Sequence, residues 1–186
     1  MKKKYLNYLA AGALCVPLTY CTPQQTTEEY SWKDELNEEL PLLGHRNWVV
    51  ITDMAYPLQT QSGIKTLFAD EPYADILTYV YNTLEKAPHV RPVIYQDKEL
   101  SFLSDEDAAG IDALKKDMNE LLGSQVHPVP HEELIARLDE VSKMFHVIII
   151  KSNLTIPYTS TFFELDCAYW GSSSQQALDE RMRDNQ

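Results

Sequence analysis

The stretch LLGHRNWVVITDMAYP, residues 42–57, places His45 and Asp53 at either end of an apolar run. Neutral imidazole is the side chain best suited to exchanging a proton near pH 7. An aspartate directly after a strand lies where open α/β sheets bind ligands, in the crevice beyond the strands' carboxyl ends. The same aspartate also reads as a turn residue capping local backbone N–H groups. The two residues are eight apart, and at about 3.3 Å per extended residue they cannot touch along one straight strand. Either the loop around Gly44 folds back, or a site using both is built from two chains.

The other titratable groups give weaker signals. His127 and His131 in HPVPH suggest a metal pair, but two prolines and the lack of a cysteine or carboxylate cluster favour a loop residue followed by a helix start. His89 and His146 read as structural. Cys167 alternates with apolar and aromatic residues and reads as a small buried hydrophobe rather than a nucleophile. GxGxxG, Walker, HExxH, GxSxG and CxxC patterns are absent, so nucleotide, zinc-protease, serine-hydrolase and thiol-redox chemistry have no motif behind them.

The elements that must position these groups are legible from periodicity. WVVIT (48–52) is an unbroken β-branched and aromatic run, and FHVIII (145–150) is again apolar in its last four residues, as expected of strands covered on both faces in a parallel sheet. RPVIY (91–95), Val126 to Val129 and TFFELDCAYW (161–170) supply three more strands; in the last, Glu164 and Asp166 predict a face turned to water or an interface. Helical spacing runs from Tyr73 to Leu84 after Pro72, from an N-cap at Ser104 to Leu122, and from about His131 to Lys143. The strand–helix alternation predicts an α/β domain: a mainly parallel sheet with helices on both faces.

The 186 residues allow one domain with a substantial core. With 44% hydrophobic and 24% charged residues and a net charge of −12, the composition is globular and acidic; such a surface repels phosphate backbones, so no nucleic-acid partner is expected. Lys2 to Lys4 followed by the apolar run Tyr5 to Val16 predict a signal peptide over residues 1–21. Leu18-Thr19-Tyr20-Cys21 resembles a bacterial lipobox, which implies Cys21 as a lipidation site and an exported cell-envelope protein held to a membrane by a lipid anchor only; a plain signal peptide cut nearby is the alternative. Residues 22–39 read as an acidic tether ending in a short helix, 40–170 as the domain, and 171–186 as a polar tail.

Three segments together resemble the D-ribose pyranase and L-fucose mutarotase family: LLGHRNWVVITDMAYP, then VPHEEL at 129–134, then Pro157-Tyr158-Thr159-Ser160. They occur in the family's order and span roughly residues 40–170. The resemblance implies His45 as proton donor, with Asp53 and His131 binding sugar hydroxyls. It also implies that Tyr158, Thr159 and Ser160 close the pocket, at a subunit boundary of a ring-like homo-oligomer, without cofactor or metal. Ser160 stands where the family usually has asparagine, and Arg46-Asn47 follow the Gly-His where an acidic residue is common.

The expected activity is interconversion of the ring or anomeric forms of a free monosaccharide such as ribose or fucose. A non-catalytic sugar-binding envelope lipoprotein with the same pocket is the alternative, and an oligomeric surface protein with a vestigial pocket is a third reading.

Overall fold

A computed structural model describes residues 30–184; the predicted signal segment, Cys15, Cys21 and residues 22–29 lie outside the described residues. The chain forms α1 (Trp32–Glu39), β1 (Trp48–Thr52), β2 (Ile64–Phe68), α2 (Tyr73–Glu85), β3 (Val90–Asp97), α3 (Ile111–Leu122), β4 (Val126–Val129), α4 (His131–Val141), β5 (Val147–Lys151), β6 (Thr161–Cys167) and α5 (Ser172–Asp184).

The strands make one sheet in the order β2-β5-β1-β6-β3-β4. β1 pairs in parallel with β5, β5 with β2, and β3 with β4, while β6 runs antiparallel to both β1 and β3. Five strands therefore point the same way, and β6 is the reversed strand among the described residues.

The apolar runs are unbroken because the central strands bury both faces. Val49, Ile51, Ile148, Ile150, Phe163 and Leu165 face the cluster formed with α1, α2 and α3. Trp48, Val50, Val147, Ile149 and Phe162 face the opposite cluster, where α4 contributes Leu134 and Leu138. Alternation by one residue switches layers, as the pleat requires. The β6 face that the sequence predicts to be wet is so only from Glu164 onward, since Phe162 on that face is fully buried.

Several boundaries differ from expectation. The tether predicted over 22–39 gives way to core by residue 31. Ser31 and Asp34 form a capping box, and Trp32 and Leu36 bury against the sheet, so α1 belongs to the domain. β2 has no sequence counterpart because IKTLF mixes polar and apolar residues on an edge strand that pairs only with β5. Ser104 does not cap α3: its N–H and hydroxyl bond Asp107 within an isolated turn. The chain then turns through Gly110 at φ +90° before α3 begins, and Asp105 Oδ1 accepts the Asp112 N–H in that helix's first turn. The predicted polar tail is helical, as α5, with no buried residue. Cys167 ends β6 half-buried and unpaired.

Candidate functional site

Because β6 is reversed, the edge of the sheet that receives the C-terminal ends of β1, β3, β4 and β5 also receives the N-terminal end of β6. Asp53 follows β1, Asp97 ends β3, His131 opens α4 just after β4, and Tyr158 to Ser160 lead into β6. A cleft of about 720 Å³ opens at this edge, lined by Asp53, Tyr56, Gln59, His131, Glu132 and Tyr158 among others.

Each wall has a local cause. Asp53 Oδ1 accepts the Ala55 N–H at 2.7 Å, an Asx turn that redirects the chain, so the residue that makes the turn also lines the cleft. Tyr56 is buried, its hydroxyl donates to Gln59 Oε1 at 3.3 Å, and burial, then the Asp139 and Asp97 charges, push its pKa up. His131 is the first residue of α4; its backbone N–H, an orphan donor of the helix start, is taken by the Glu99 carboxylate at 3.0 Å. Tyr158 adopts φ +56°, a left-handed conformation that costs a non-glycine residue about 1 kcal/mol. That backbone presents the Tyr158 ring edge-on to His131, with centroids 5.6 Å apart.

Thr159 and Ser160 do not line the cleft. Both are buried beneath it, the Thr159 hydroxyl donating to the Ile156 carbonyl at 3.0 Å and the Thr159 carbonyl accepting the Tyr73 hydroxyl. The Thr161 hydroxyl donates to the Tyr73 oxygen at 2.9 Å, and Gln96 Nε2 donates to Thr161 Oγ1 at 3.2 Å, so a polar layer braces the cleft floor.

His45 lies elsewhere. It is exposed just before β1, at the sheet edge opposite Asp53, where the Arg46 N–H donates to the Leu165 carbonyl at 2.8 Å. The loop around Gly44 does not fold back, and the five-residue strand alone keeps the two apart by roughly 16 Å. His127 and His131 also part: His127 packs its ring 5.7 Å from Tyr95, while His131 turns toward Asp97.

Asp97 has no counterpart among the residues singled out from the sequence. Its side chain sits 3.0 Å from His131 Nδ1, and the residue is 2% exposed. Burial lifts its pKa to about 6; His131 opposes that rise, and the nearby Glu99 and Asp53 charges add to it. The signal was present in RPVIYQD, which ends on an aspartate as WVVITD does.

No family model matches the sequence, and no curated protein matches it. Solved structures do. Bacillus subtilis RbsD complexed with D-ribose aligns at a TM-score of 0.50 with 18% identity, covering 71% of this chain and 91% of that one. The fold is that of RbsD. The mainly parallel sheet with helices on both faces that the sequence predicts is thus the RbsD arrangement. The Streptococcus pneumoniae fucose mutarotase in complex with L-fucose aligns at 16% identity and a TM-score of 0.48, covering 71% of this chain and 91% of its own. FucU from Bifidobacterium longum aligns at 15% identity and a TM-score of 0.47, covering 73% and 95%.

Proposed function

We propose that the protein interconverts the ring or anomeric forms of a free monosaccharide such as ribose or fucose. The observation that carries this reading is the convergence of Asp53, His131 and Tyr158, from three separate segments, on one cleft. The fold shared with a protein solved with D-ribose supports it.

The chemistry asks little of the protein. Opening a hemiacetal needs one proton delivered to the ring oxygen and one removed from the anomeric hydroxyl, and closure reverses both. Asp53 would accept hydrogen bonds from sugar hydroxyls, and the Tyr158 ring would cover an apolar sugar face. Asp53 and Glu132 in the lining favour an uncharged sugar, because a phosphorylated one would meet carboxylates.

His45 enters as the proton donor only from a second copy, since it stands at the far edge of its own sheet. A ring-like homo-oligomer that seats one copy's His45 against its neighbour's cleft completes the site. Residues 1–21 would export the chain to the cell envelope, with Cys21 as its lipid anchor. The distance of His45 from its own cleft also favours a second reading, a tethered sugar-binding module without turnover.

NMR exchange spectroscopy on ribose and fucose with the purified protein tests both. Faster ring-form exchange, abolished by His45→Ala, supports the enzyme; sugar shift changes with no exchange support the binding module.

A further inference from the structure

Asp97 is a buried carboxylate that the fold does not neutralise. Neither of its oxygens receives a hydrogen bond of good geometry among the described residues, and Oδ1 lies 3.0 Å from His131 Nδ1, with the ring turned off the straight N–H···O line. A helix-capping role is already filled, because Glu99 holds the His131 backbone N–H at the start of α4. A cation does not answer it either. Lys115, which shares with Asp97 a smaller cavity on the α3 side, is bonded to the Leu103 carbonyl and paired with Asp112 Oδ1 at 3.0 Å. The remaining charged groups facing Asp97, Glu99 from the turn after β3 and Asp53 from the end of β1, repel it. His131 is the group left to share a proton with it.

The imidazole has two ends. Nδ1 is buried against Asp97 while the residue lines the cleft, which leaves Nε2 for whatever the cleft holds.

We propose that Asp97 positions His131 as a proton acceptor of this site, holding the imidazole with Nδ1–H inward so that Nε2 takes the proton of the sugar's anomeric hydroxyl. This rests on the sugar-interconverting reading and adds proton transfer to the hydroxyl-binding role that the family resemblance gives His131. As the anomeric O–H bond breaks, its electron pair forms the carbonyl and the bond from the anomeric carbon to the ring oxygen cleaves. The ring oxygen takes its proton from the donor on its other side, His45 of a second copy in the proposed assembly. Closure runs the same bonds backward, and Nε2 returns its proton. Asp97 touches no sugar atom; it acts through the ring it orients, as carboxylates do behind catalytic and metal-bound imidazoles.

The test uses the full chain labelled with 15N-histidine, the His131 signals being assigned by their loss in His131→Gln. The expected result at pH 7.5 is a neutral His131 in the Nδ1–H tautomer, and a shift toward Nε2–H in Asp97→Asn. Ring-form exchange of ribose or fucose in that variant should show kcat reduced about tenfold or more, with KM within threefold and the acid limb of the rate profile displaced. A wild-type His131 in the Nε2–H tautomer overturns the pair, and so does an Asp97→Asn protein that exchanges sugar within twofold of wild type. If the wild-type protein exchanges no sugar, the proposed function falls, while the tautomer still decides whether Asp97 orients His131.

Discussion

Tyr158 meets His131 edge-on, their ring planes 89° apart, and it reaches that position from a left-handed backbone. The ring and the backbone conformation are separable by mutation. Tyr158→Ala removes the ring and keeps the strain; Tyr158→Gly removes both. We predict that Tyr158→Gly is more stable than Tyr158→Ala by about 1 kcal/mol, less what the more flexible unfolded chain takes back. Both should bind sugar more weakly than wild type. Urea melts of the pair check this, and a glycine variant markedly less stable than the alanine one would remove strain from the account.

Asp97 makes a pH-dependent prediction. Its carboxyl titrates near 6 in the folded protein, above the ordinary value of 3.8, so the folded state holds that proton more tightly than the unfolded chain. Its stabilising contribution is full in acid and is lost as pH rises through about 6. The difference corresponds to about 3 kcal/mol at most. Asp97→Asn should therefore match wild-type stability near pH 3 and exceed it at pH 8. Denaturation at the two pH values decides, and a gain equal at both would show that the charge is not the cause.

Gly63 carries a steric prediction. A Cβ there would stand 2.1 Å from the Ser142 carbonyl oxygen and 2.8 Å from that of Phe145, both backbone atoms. Gly63→Ala should cost about 1–3 kcal/mol. The loss should appear first as faster hydrogen exchange in β2, whose approach to the end of α4 the glycine permits. Uniform loss of protection across the sheet would instead point to a global effect.

The shared-site arrangement predicts complementation. His45→Ala and His131→Gln should each lack ring-form exchange, and a refolded equal mixture should regain roughly a quarter of wild-type activity, because a quarter of mixed sites draw both intact residues. A mixture as inactive as its parts, in a protein that light scattering shows to be oligomeric, would place both histidines' roles in one chain or remove one of them.

The sequence made the doubly buried strands legible because Trp48 to Ile51 and Val147 to Ile150 have no polar interruption, as a sheet covered on both faces requires. Asp53 was legible from its place after a strand, while His131 and Tyr158 were named through the family resemblance; all three line one cleft. Asp97 was visible in RPVIYQD as an aspartate closing a strand, but what sets it apart, the lack of other partners among the described residues, depends on what α3, α4 and the turn after β3 bring near it. The α3 start was misplaced because Ser104 and Asp107 satisfy a capping pattern locally, and only Gly110 reveals that the chain turns again before the helix. His45's separation from Asp53 could be measured from the spacing, while whether the loop folds back could not.

The reversed strand β6 also links the two halves of the sheet. β2, β5 and β1 form one parallel group and β3 and β4 another, and every backbone ladder between the groups runs through β6. Among the described residues β6 is the last strand in chain order, and the segment just before it carries Tyr158. A chain that stops before Thr161 therefore holds two parallel groups with no backbone ladder between them, so the cleft whose walls come from both groups depends on the strand that runs the other way.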